Sequence, residues 1–377
     1  AQKGSALCGM GMTEKQGGSD VRANATRAVP LDRGGAGETY VLSGHKWFCS
    51  APMSDAFLVL AQAPGGLSCF FLPRILPDGT RNPFRLQRLK DKLGNRSNAS
   101  SEVEFAGTYA WLVGEEGRGV QTIIEMVNYT RLDCVNGSAA LMRQAVAQAT
   151  HHAAYRSAFG ALLIDQPLMQ NVLADLAIES EAAMLFLMRL ARAADRAATS
   201  EAERHMRRIG TAIGKYWVCK RAGVIIAEAL ECLGGNGYVE ESILPRLYRE
   251  APVNSVWEGP GNVNALDVLR VLQKTPAAFD AFAEECAQAG DPRITQAFDR
   301  LRADVRAGDR IEARARRIVE RMAILLQASL LVRFGSADAA DLFCASRLGS
   351  DWSGTLGTLE PSAAFGAIID RARPKLP

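Results

Sequence analysis

The spacing of apolar residues changes about a third of the way along the chain. Up to residue 112, short apolar runs alternate with turn residues, as in β-structure. From Gly117 onward, apolar positions recur every three or four residues, which is the period of an amphipathic helix. The pattern therefore predicts a β-rich first part and a helical remainder. The predicted strands are Tyr40–Leu42, Ala56–Ala61, Ser68–Leu72 and Glu102–Phe105.

The helical part consists of long periodic runs with short connections, which favours an antiparallel bundle. The predicted helices cover Ala139–Ala154, Gln166–Ala198, Arg208–Leu233 and Val263–Leu272. Gly290-Asp291-Pro292 interrupts the pattern, and a further helical section follows over Ile294–Phe334. We therefore predict an α+β chain with three parts. They are a β-rich domain (1–112), a four-helix bundle (113–275) and a helical extension (276–377).

The composition is 48% hydrophobic and 23% charged, as in ordinary globular proteins, and the net charge of +3 predicts neither nucleic-acid nor membrane binding by itself. The eight cysteines are dispersed without a Cys-x-x-Cys pair, which indicates reduced thiols in a cytoplasmic protein. Only four histidines are present, and two of them are adjacent, which argues against a metal site. No apolar run in the sequence reaches the roughly 18 to 20 residues that a membrane span needs.

The most informative segment for chemistry is Ser255–Asn262, in which Glu258 stands between Trp257 and a glycine-rich bend. A carboxylate shielded by an indole ring has a raised pKa and suits a general base. A helix is predicted directly afterwards, and the free N–H groups of a helix start can bind a phosphate. By itself, however, a Glu at such a place is more often a cap or a surface charge.

Two segments of the β-rich part could contact a ligand. The loop Gly9–Val21 lacks the Gly-x-Gly-x-x-Gly spacing of a dinucleotide site, but it offers backbone N–H groups and the hydroxyls of Thr13 and Ser19. Strand alternation places Phe48 and Ser50 on one face, which gives an aromatic wall beside a hydroxyl. A plain loop and an ordinary core strand explain the same two patterns.

Two segments of the helical part have a similar double explanation. Arg156, followed by Phe159-Gly160, can present a cation to a phosphate or compensate a helix dipole at a helix end. Gly234-Gly235 suits either a close approach to a ligand or a simple helix C-cap.

Taken in order, these segments resemble the acyl-CoA dehydrogenase superfamily over residues 9–275. The family pattern Thr-Glu-x-x-x-Gly-Ser-Asp is present at Thr13–Asp20, and Arg-x-x-Phe-Gly is present at Arg156–Gly160. Gly-Gly-x-Gly-Tyr is present at Gly234–Tyr238, and the catalytic aromatic-Glu-Gly signature is Trp257-Glu258-Gly259. The closest branch is that of flavoproteins of the bacterial adaptive response to DNA alkylation. That similarity is strongest over Gly9–Asp20, Leu86–Ser100 and Leu244–Gly259.

The resemblance implies an FAD-dependent oxidoreductase in which Glu258 removes the α-proton of an acyl-CoA thioester. It also implies a homo-oligomer, expected to be a tetramer, whose subunits share the flavin site. The branch implies double-stranded DNA as a further partner and protection against alkylation as the role. The residues that the resemblance places at the cofactor are Met10, Gly11, Met12, Thr13, Gly18, Ser19, Phe48, Cys49, Ser50, Arg156, Phe159, Gly235, Val256, Trp257, Gly259, Gly261 and Asn262.

The chain departs from the family pattern at several places. Trp257 replaces the usual Tyr, Pro260-Gly261-Asn262 replaces Thr-x-Gln, and Glu231 replaces a Gln before the double glycine. The alternative position of the base in one branch holds Thr130 here. The family's N-terminal helical domain, expected before Gly9, is missing from this chain, and we expect it to be cleaved, disordered or carried by another polypeptide.

Arginines are concentrated in residues 293–321, a segment that contains nine arginines and five acidic residues. The spacing of Arg302, Arg306, Arg310 and Arg317 predicts a single helical stripe, which could neutralise DNA phosphates. A solvated helix face of mixed charge explains the pattern equally well. Arg270 follows Asn262 at two four-residue steps, so we expect it on the same helix face as a second DNA-contacting site.

Three functional alternatives stay open at this point. One is a metabolic acyl-CoA dehydrogenase for short or branched chains. Another is a DNA-binding protein that keeps FAD for structure. A nitroalkane oxidase is disfavoured, because those relatives have Asp where this chain has Glu258.

Overall fold

The computed structural model describes residues 4–308, 310–349 and 354–375. The chain divides into two compact units, Ala1–Tyr129 and Thr130–Pro377, and the division falls inside one long helix. The predicted boundary after residue 275 is not a boundary between compact units. The reason is that helices on both sides of it contribute to one hydrophobic core.

The first unit is built on one mixed sheet. Its strands are β1 (Cys8–Gly11), β2 (Arg27–Pro30), β3 (Thr39–Ser50), β4 (Ala56–Ala63), β5 (Gly66–Pro73), β6 (Phe84–Leu89) and β7 (Ser100–Val113). The strand order is β1-β4-β2-β3-β7-β5. A further pairing of β4 with β5 closes this sheet, and β6 pairs with β7 off the main path. Tyr40, Phe57, Phe70 and Leu112 are buried in its core. Each of the four predicted strands lies within an observed one.

The second unit is helical, apart from a short hairpin of β8 (Ser157–Ala158) and β9 (Ala161–Leu162). Its first helices are α1 (Gly119–Tyr155), which starts in the first unit, α2 (Pro167–Arg196), α3 (Glu201–Cys232), α4 (Gly235–Tyr238), α5 (Leu244–Val256) and α6 (Gly261–Lys274). The later ones are α7 (Pro276–Ala287), α8 (Pro292–Arg306), α9 (Ile311–Phe334), α10 (Ala337–Leu348) and α11 (Phe365–Ala372). In the described part of the chain, no helix is both long enough and apolar enough to cross a membrane.

The helices after α6 are integrated into the bundle. Phe282 of α7 and Leu326 of α9 are fully buried in the same core as Phe186 of α2. A buried ionic group adds to this apolar packing, because Glu179 of α2 accepts hydrogen bonds from Arg221 of α3 and from Arg347 of α10. Such a group costs desolvation, and it is tolerated when each charge is paired.

The predicted helical section Ile294–Phe334 is two helices rather than one. Gly308, with φ of +62°, and Arg310, with φ of +48°, have left-handed backbone between α8 and α9. The expectation of one arginine stripe on one helix is therefore wrong. Its members lie on α8, in the connection and on α9, and glycine at residue 308 supplies the conformation that ends the first helix.

Candidate active site

Glu258 lies in the tight turn between α5 and α6. Glu258 and Gly259 both have left-handed backbone, with φ of +58° and +96°. This conformation is unfavourable for a residue with a Cβ atom, so Glu258 is kept there by its surroundings. At Gly259, an added Cβ would lie 3.1 Å from the Val263 side chain and 3.4 Å from Arg131. The turn therefore has little room for any residue larger than glycine at residue 259.

Side chains from three helices hold the main chain of this turn. Nε of Arg131 on α1 donates to the carbonyl oxygen of Glu258 at 3.0 Å. The carbonyl oxygen of Gly259 accepts from Nδ2 of Asn264 at 2.6 Å and from Nζ of Lys215 on α3 at 3.2 Å. Consecutive carbonyl groups thus have cationic donors, which fixes the direction in which Glu258 projects.

Arg131 is in turn oriented by Asp267 of α6. Its NH1 donates to Oδ2 of Asp267 at 3.0 Å, and Arg208 of α3 donates to both oxygens of the same carboxylate. Burial alone would raise the pKa of Asp267, but the hydrogen bonds and charges of these arginines hold that pKa below its ordinary value. The carboxylate therefore stays ionised and keeps the cation in place.

The Glu258 carboxyl group combines burial with an unused acceptor. Its Oε2 is shielded from solvent and has no hydrogen-bond partner among the described residues. Burial raises the pKa of Glu258 above its ordinary value, and a hydrogen bond with Thr130 and the charges of Arg131 and Lys215 oppose this only in part. A carboxylate with a raised pKa and a free lone pair has the properties of a general base.

Trp257 is fixed next to this carboxylate. Its Nε1 donates to Oδ1 of Asn254, one helical turn earlier, at 3.2 Å. The Asn254 side chain has room because the residue opposite it is Gly137. A Cβ at residue 137 would lie 3.2 Å from Nδ2 of Asn254. Trp257 also contacts the thiol of Cys134, whose pKa is raised by burial to about 12. The indole is thus anchored on two sides, and the thiol beside it is neutral.

In the first unit, the loop after β1 is held by a buried ion pair. Nζ of Lys46 lies 2.7 Å from Oε1 of Glu14, and both side chains are fully buried. Glu14 also accepts from the backbone N–H groups of Ala25 and Thr26. Burial opposes its ionisation, but Lys46 and these donors keep the pKa of Glu14 below its ordinary value. The loop that carries Thr13, Gly18 and Ser19 is therefore tied to β3.

The structure brings several predicted residues of this unit together. The N–H of Trp47 donates to the carbonyl oxygen of Thr13 at 2.8 Å, so the loop lies beside the end of β3. A Cβ on Gly18 would lie 2.4 Å from Oγ1 of Thr13, which shows how tightly the loop folds. Met10 and Met12 pack at the edge of the adjoining core, and Gly11 is buried.

At the end of β3, Phe48 is 49% exposed, whereas Cys49 is buried. Ser50 is half-buried, on the same side of the strand as Phe48, and its Oγ lies 3.2 Å from Oγ of Ser100. Burial raises the pKa of Cys49 to about 12, so its thiol is neutral. Cys49 therefore packs in the core, and Phe48 and Ser50 carry the polar and aromatic surface that the alternation predicts.

The remaining predicted cofactor residues lie at chain reversals of the second unit. Arg156 is exposed after the end of α1, and Phe159-Gly160 forms the tip of the β8–β9 hairpin, with φ of +53° and +82°. Phe159 is 99% exposed. Phe159-Gly160 thus lies beyond the helix end, whereas Arg156 directly follows α1, as the helix-end alternative also expects. Gly235 begins α4, and a Cβ there would meet no atom within 4 Å.

Around the Glu258 turn, the three flanking residues predicted to contact the cofactor differ in exposure. Val256 is 64% exposed at the end of α5. Gly261 is buried and Asn262 is exposed at the start of α6. Arg270 is exposed on the same face of α6 as Asn262 and forms a 3.2 Å ion pair with Asp267.

The structure leaves the four predicted arginines of the extension exposed. Arg302 lies over the ring of Phe298, and Arg317 is 3.8 Å from Asp304. Arg306 ends α8, and Arg310 precedes α9. They surround a corner between two helices instead of following one helix.

Comparison with known proteins assigns the family. Residues 9–108 match the middle domain of acyl-CoA dehydrogenases, and residues 117–273 match the C-terminal domain. The crystal structure of Caenorhabditis elegans ACDH-11 in complex with C11-CoA has a TM-score of 0.83 and 30% identity to this chain. That match covers 94% of this chain and 67% of ACDH-11. The chain belongs to the acyl-CoA dehydrogenase family. This confirms the family and the fold that the ordered motifs predict.

Within the acyl-CoA dehydrogenase family, the chain is 50% identical over 345 residues to AidB of Escherichia coli strain K12. The match covers 91% of this chain and 62% of AidB. Acyl-CoA dehydrogenase family member 11 of Caenorhabditis elegans is 36% identical, over 74% of this chain and 47% of that protein. The chain thus spans about half to three fifths of the length of these relatives, and the predicted closeness to the AidB branch is confirmed.

The residues that hold the Glu258 turn were not among those predicted from the acyl-CoA dehydrogenase motifs. They are Arg131, Lys215, Asn254, Asn264 and Asp267. One local signal was available, because Lys215 is a single charge within the otherwise apolar run from Ala212 to Val218. Lysine is almost never fully buried without a partner, so a lysine in such a run indicates a specific interaction in the core.

Proposed function

We propose that this chain catalyses the α,β-dehydrogenation of an acyl thioester, with Glu258 as general base and FAD as cofactor. The observation that carries the proposal is the buried, unpartnered Oε2 of Glu258 on a turn held by Arg131 and Lys215. Membership of the acyl-CoA dehydrogenase family supports the same chemistry.

The residues present fit a flavin. Phe48 offers an exposed aromatic face beside the Ser50 hydroxyl, which suits a flat ring with polar edges. At Gly235, a Cβ would project into open space, so packing within the chain does not require glycine there, and the backbone leaves room for a ligand. When bound, FAD supplies the oxidised ring that accepts the β-hydrogen and two electrons as hydride.

The protein's own part in the reaction is to remove a proton with a carboxylate that is shielded from water and held in a fixed orientation. Oε2 of Glu258 accepts the α-proton of the thioester, and its raised pKa narrows the gap to the weakly acidic carbon. Trp257 is the chain neighbour of Glu258 and is held by Asn254, and we propose that its bulky indole limits the acyl groups that reach the carboxylate. Short or compact acyl chains are therefore the proposed substrates.

The test is flavin bleaching by a panel of acyl-CoA thioesters in the FAD-loaded protein, measured for wild type and for Glu258→Gln. Gln keeps the shape of the side chain but cannot accept the proton, so we expect the rate to fall by about 10²-fold or more while FAD remains bound. Glu284→Gln, at an exposed position of α7, is the matched control and should react as wild type. Bleaching of Glu258→Gln at the wild-type rate would assign Glu258 a structural role.

We further propose that the protein is a homo-oligomer, a tetramer by resemblance, in which Arg156 and Phe159 reach the flavin of a neighbouring subunit. The almost complete exposure of Phe159 at a hairpin tip supports this, because it leaves the whole ring available to a neighbouring subunit. A monomer with full FAD occupancy in sedimentation analysis would exclude it.

We also propose duplex DNA binding with a role in protection against alkylation, as in the adaptive-response branch that the sequence resembles. The identity of 50% to AidB supports it, together with the exposure of Arg302, Arg306, Arg310 and Arg317 around the α8–α9 corner. Arginines in such an array can neutralise phosphates without reading the base sequence.

Fluorescence polarisation with two unrelated duplexes over a range of salt concentrations tests this second proposal. Changing Arg306 and Arg310 together to alanine should weaken both duplexes equally and flatten the dependence of log affinity on log salt by about two. Arg33 and Arg118, which are exposed arginines of the first unit, supply a control pair. Unchanged affinity and salt dependence in the first pair would refute a DNA contact at this corner.

A further inference from the structure

Lys215 is a lysine in the core of the bundle. Only 1% of it is exposed, and it lies on α3 between Ile213 and Trp217, which are themselves buried. Among the described residues, no carboxylate lies within ion-pair distance of its Nζ. An ammonium group without such a partner is expensive to bury, because it gives up its hydration. A requirement other than stability is therefore expected at this position.

The hydrogen bond that Lys215 makes points to this requirement. Its Nζ donates to the carbonyl oxygen of Gly259 at 3.2 Å, directly after the proposed base. Gly259 and Glu258 have the left-handed backbone described above, which turns their carbonyl groups toward α1 and α3. The carbonyl oxygen of Glu258 accepts a hydrogen bond from Arg131. The carbonyl oxygen of Gly259 accepts from both Lys215 and Asn264.

The charges that face Glu258 assign a second task to Lys215. Arg131 of α1 has its charge offset by Asp267 of α6, which it contacts at 3.0 Å. The thiols of Cys134 on α1 and Cys219 on α3 have pKa values raised by burial, so they carry no charge. Lys215 is therefore a cation near Glu258 that has no other carboxylate to balance its charge. This holds within the part of the chain that the structure describes.

We propose that Lys215 is a positioning residue for Glu258, which holds the left-handed turn through Gly259 and supplies the counter-charge of the ionised carboxylate. This inference rests on the proposed function of Glu258 as the base. It assigns the two tasks to separate properties of one side chain, namely a donated hydrogen bond and a positive charge. Substitutions that keep one property and remove the other can therefore separate them.

The first measurement is amide hydrogen exchange of residues 255–264 in the full chain loaded with FAD. Lys215→Met removes both the donor and the charge, so we expect these amides to exchange about tenfold faster than in wild type. Lys215→Gln keeps an N–H donor on a side chain that is one bond shorter, and it should restore part of the slow exchange. Lys274→Met, at the exposed end of α6, is the control for loss of a lysine charge.

The second measurement follows the ionisation of Glu258 without any turnover. In protein labelled with 5-fluorotryptophan, the ¹⁹F resonance of Trp257 is assigned by its loss in Trp257→Phe. Its pH titration should vanish in Glu258→Gln, which assigns the titration to Glu258. Both Lys215→Met and Lys215→Gln remove the charge, so we expect the midpoint to move up by about one pH unit in each.

The outcomes separate this inference from the proposed function. A midpoint and an exchange rate that stay at their wild-type values in Lys215→Met would overturn the role of Lys215. An upward shift in both variants, with exchange restored only by Gln, supports it. If the shift occurs but no acyl-CoA bleaches the flavin in wild type, the dehydrogenase proposal fails while the positioning role of Lys215 stands.

Discussion

Nε of Arg131 donates a hydrogen bond of 3.0 Å to the main-chain carbonyl oxygen of Glu258, 127 residues later in the chain. The same guanidinium group contacts Asp267 at 3.0 Å. One side chain thus connects α1, the turn that carries the proposed base, and α6. The orientation of Glu258 therefore depends on this connection as well as on the turn itself.

Asp267→Asn tests the connection. The substitution removes the charge that Arg131 and Arg208 share, and we expect a loss of about 3 kcal/mol in the free energy of unfolding at neutral pH. Because the folded pKa of Asp267 is lowered, its contribution is present above the ordinary Asp value of 3.8 and is lost as the pH falls through the folded pKa. Urea unfolding at several pH values measures this, with exposed Asp280→Asn as the control. A difference that does not shrink in acid would contradict the assignment.

Glu258→Gln should stabilise the protein at pH 8. Burial raises the folded pKa of Glu258, so the folded state favours the protonated form, and ionisation at higher pH opposes folding. Stability from this group is full below the unfolded value near 4.5 and is lost as the pH rises through the folded pKa. Thermal unfolding should therefore show a gain for the variant at pH 8 and none near pH 4. An equal gain at both pH values would mean that charge is not the cause.

Lys46→Met should destabilise the first unit by about 3 to 5 kcal/mol, because Glu14 is left buried without its cation. In the double variant Lys46→Met/Glu14→Gln, no buried charge remains, and the Gln carbonyl can still accept from Ala25 and Thr26. We expect the double variant to be more stable than Lys46→Met alone in urea unfolding. A double variant that is less stable than the single one would show that the pair acts mainly through packing.

Phe159→Asn tests the exposed hairpin tip. Asn tolerates left-handed backbone, so the hairpin should keep its shape while the apolar ring is lost. We expect an unchanged unfolding temperature but weaker self-association in sedimentation velocity. Leu31→Asn removes an exposed apolar side chain from the first unit and should leave association intact. Equal association of Phe159→Asn and wild type would remove the ring from the proposed interface.

The periodic parts of the fold could be predicted closely. Helix α2 differs from its prediction by one residue at the start and two at the end, because a proline starts it and its apolar period is regular. The start of α3 was predicted seven residues too late. Its first two turns are mainly polar, with Ala202 and Met206 as their only apolar residues, and the helix begins at Ser200, whose side chain accepts from the N–H of Glu203.

The candidate site could be predicted only where it is local in sequence. Trp257, Glu258 and Gly259 are consecutive, so a motif identifies them. Arg131 and Lys215 come from other helices, and no pattern along the chain links them to the turn. The break at Gly308 was also missed. Arginines recur at four-residue steps on both sides of it, which is the pattern of an uninterrupted helix.

Phe282 and Leu326 are buried in the core that they share with Phe186 of the bundle. The helices after Lys274 are therefore not a module that can be removed or transferred by itself. A gene truncated after Lys274 would expose the apolar faces of α2 and α3 and yield a product prone to aggregation. Grafting residues 276–375 onto a simpler acyl-CoA dehydrogenase would fail for the complementary reason. The extension and the bundle therefore belong to one compact unit, and a substitution in their shared core acts on both.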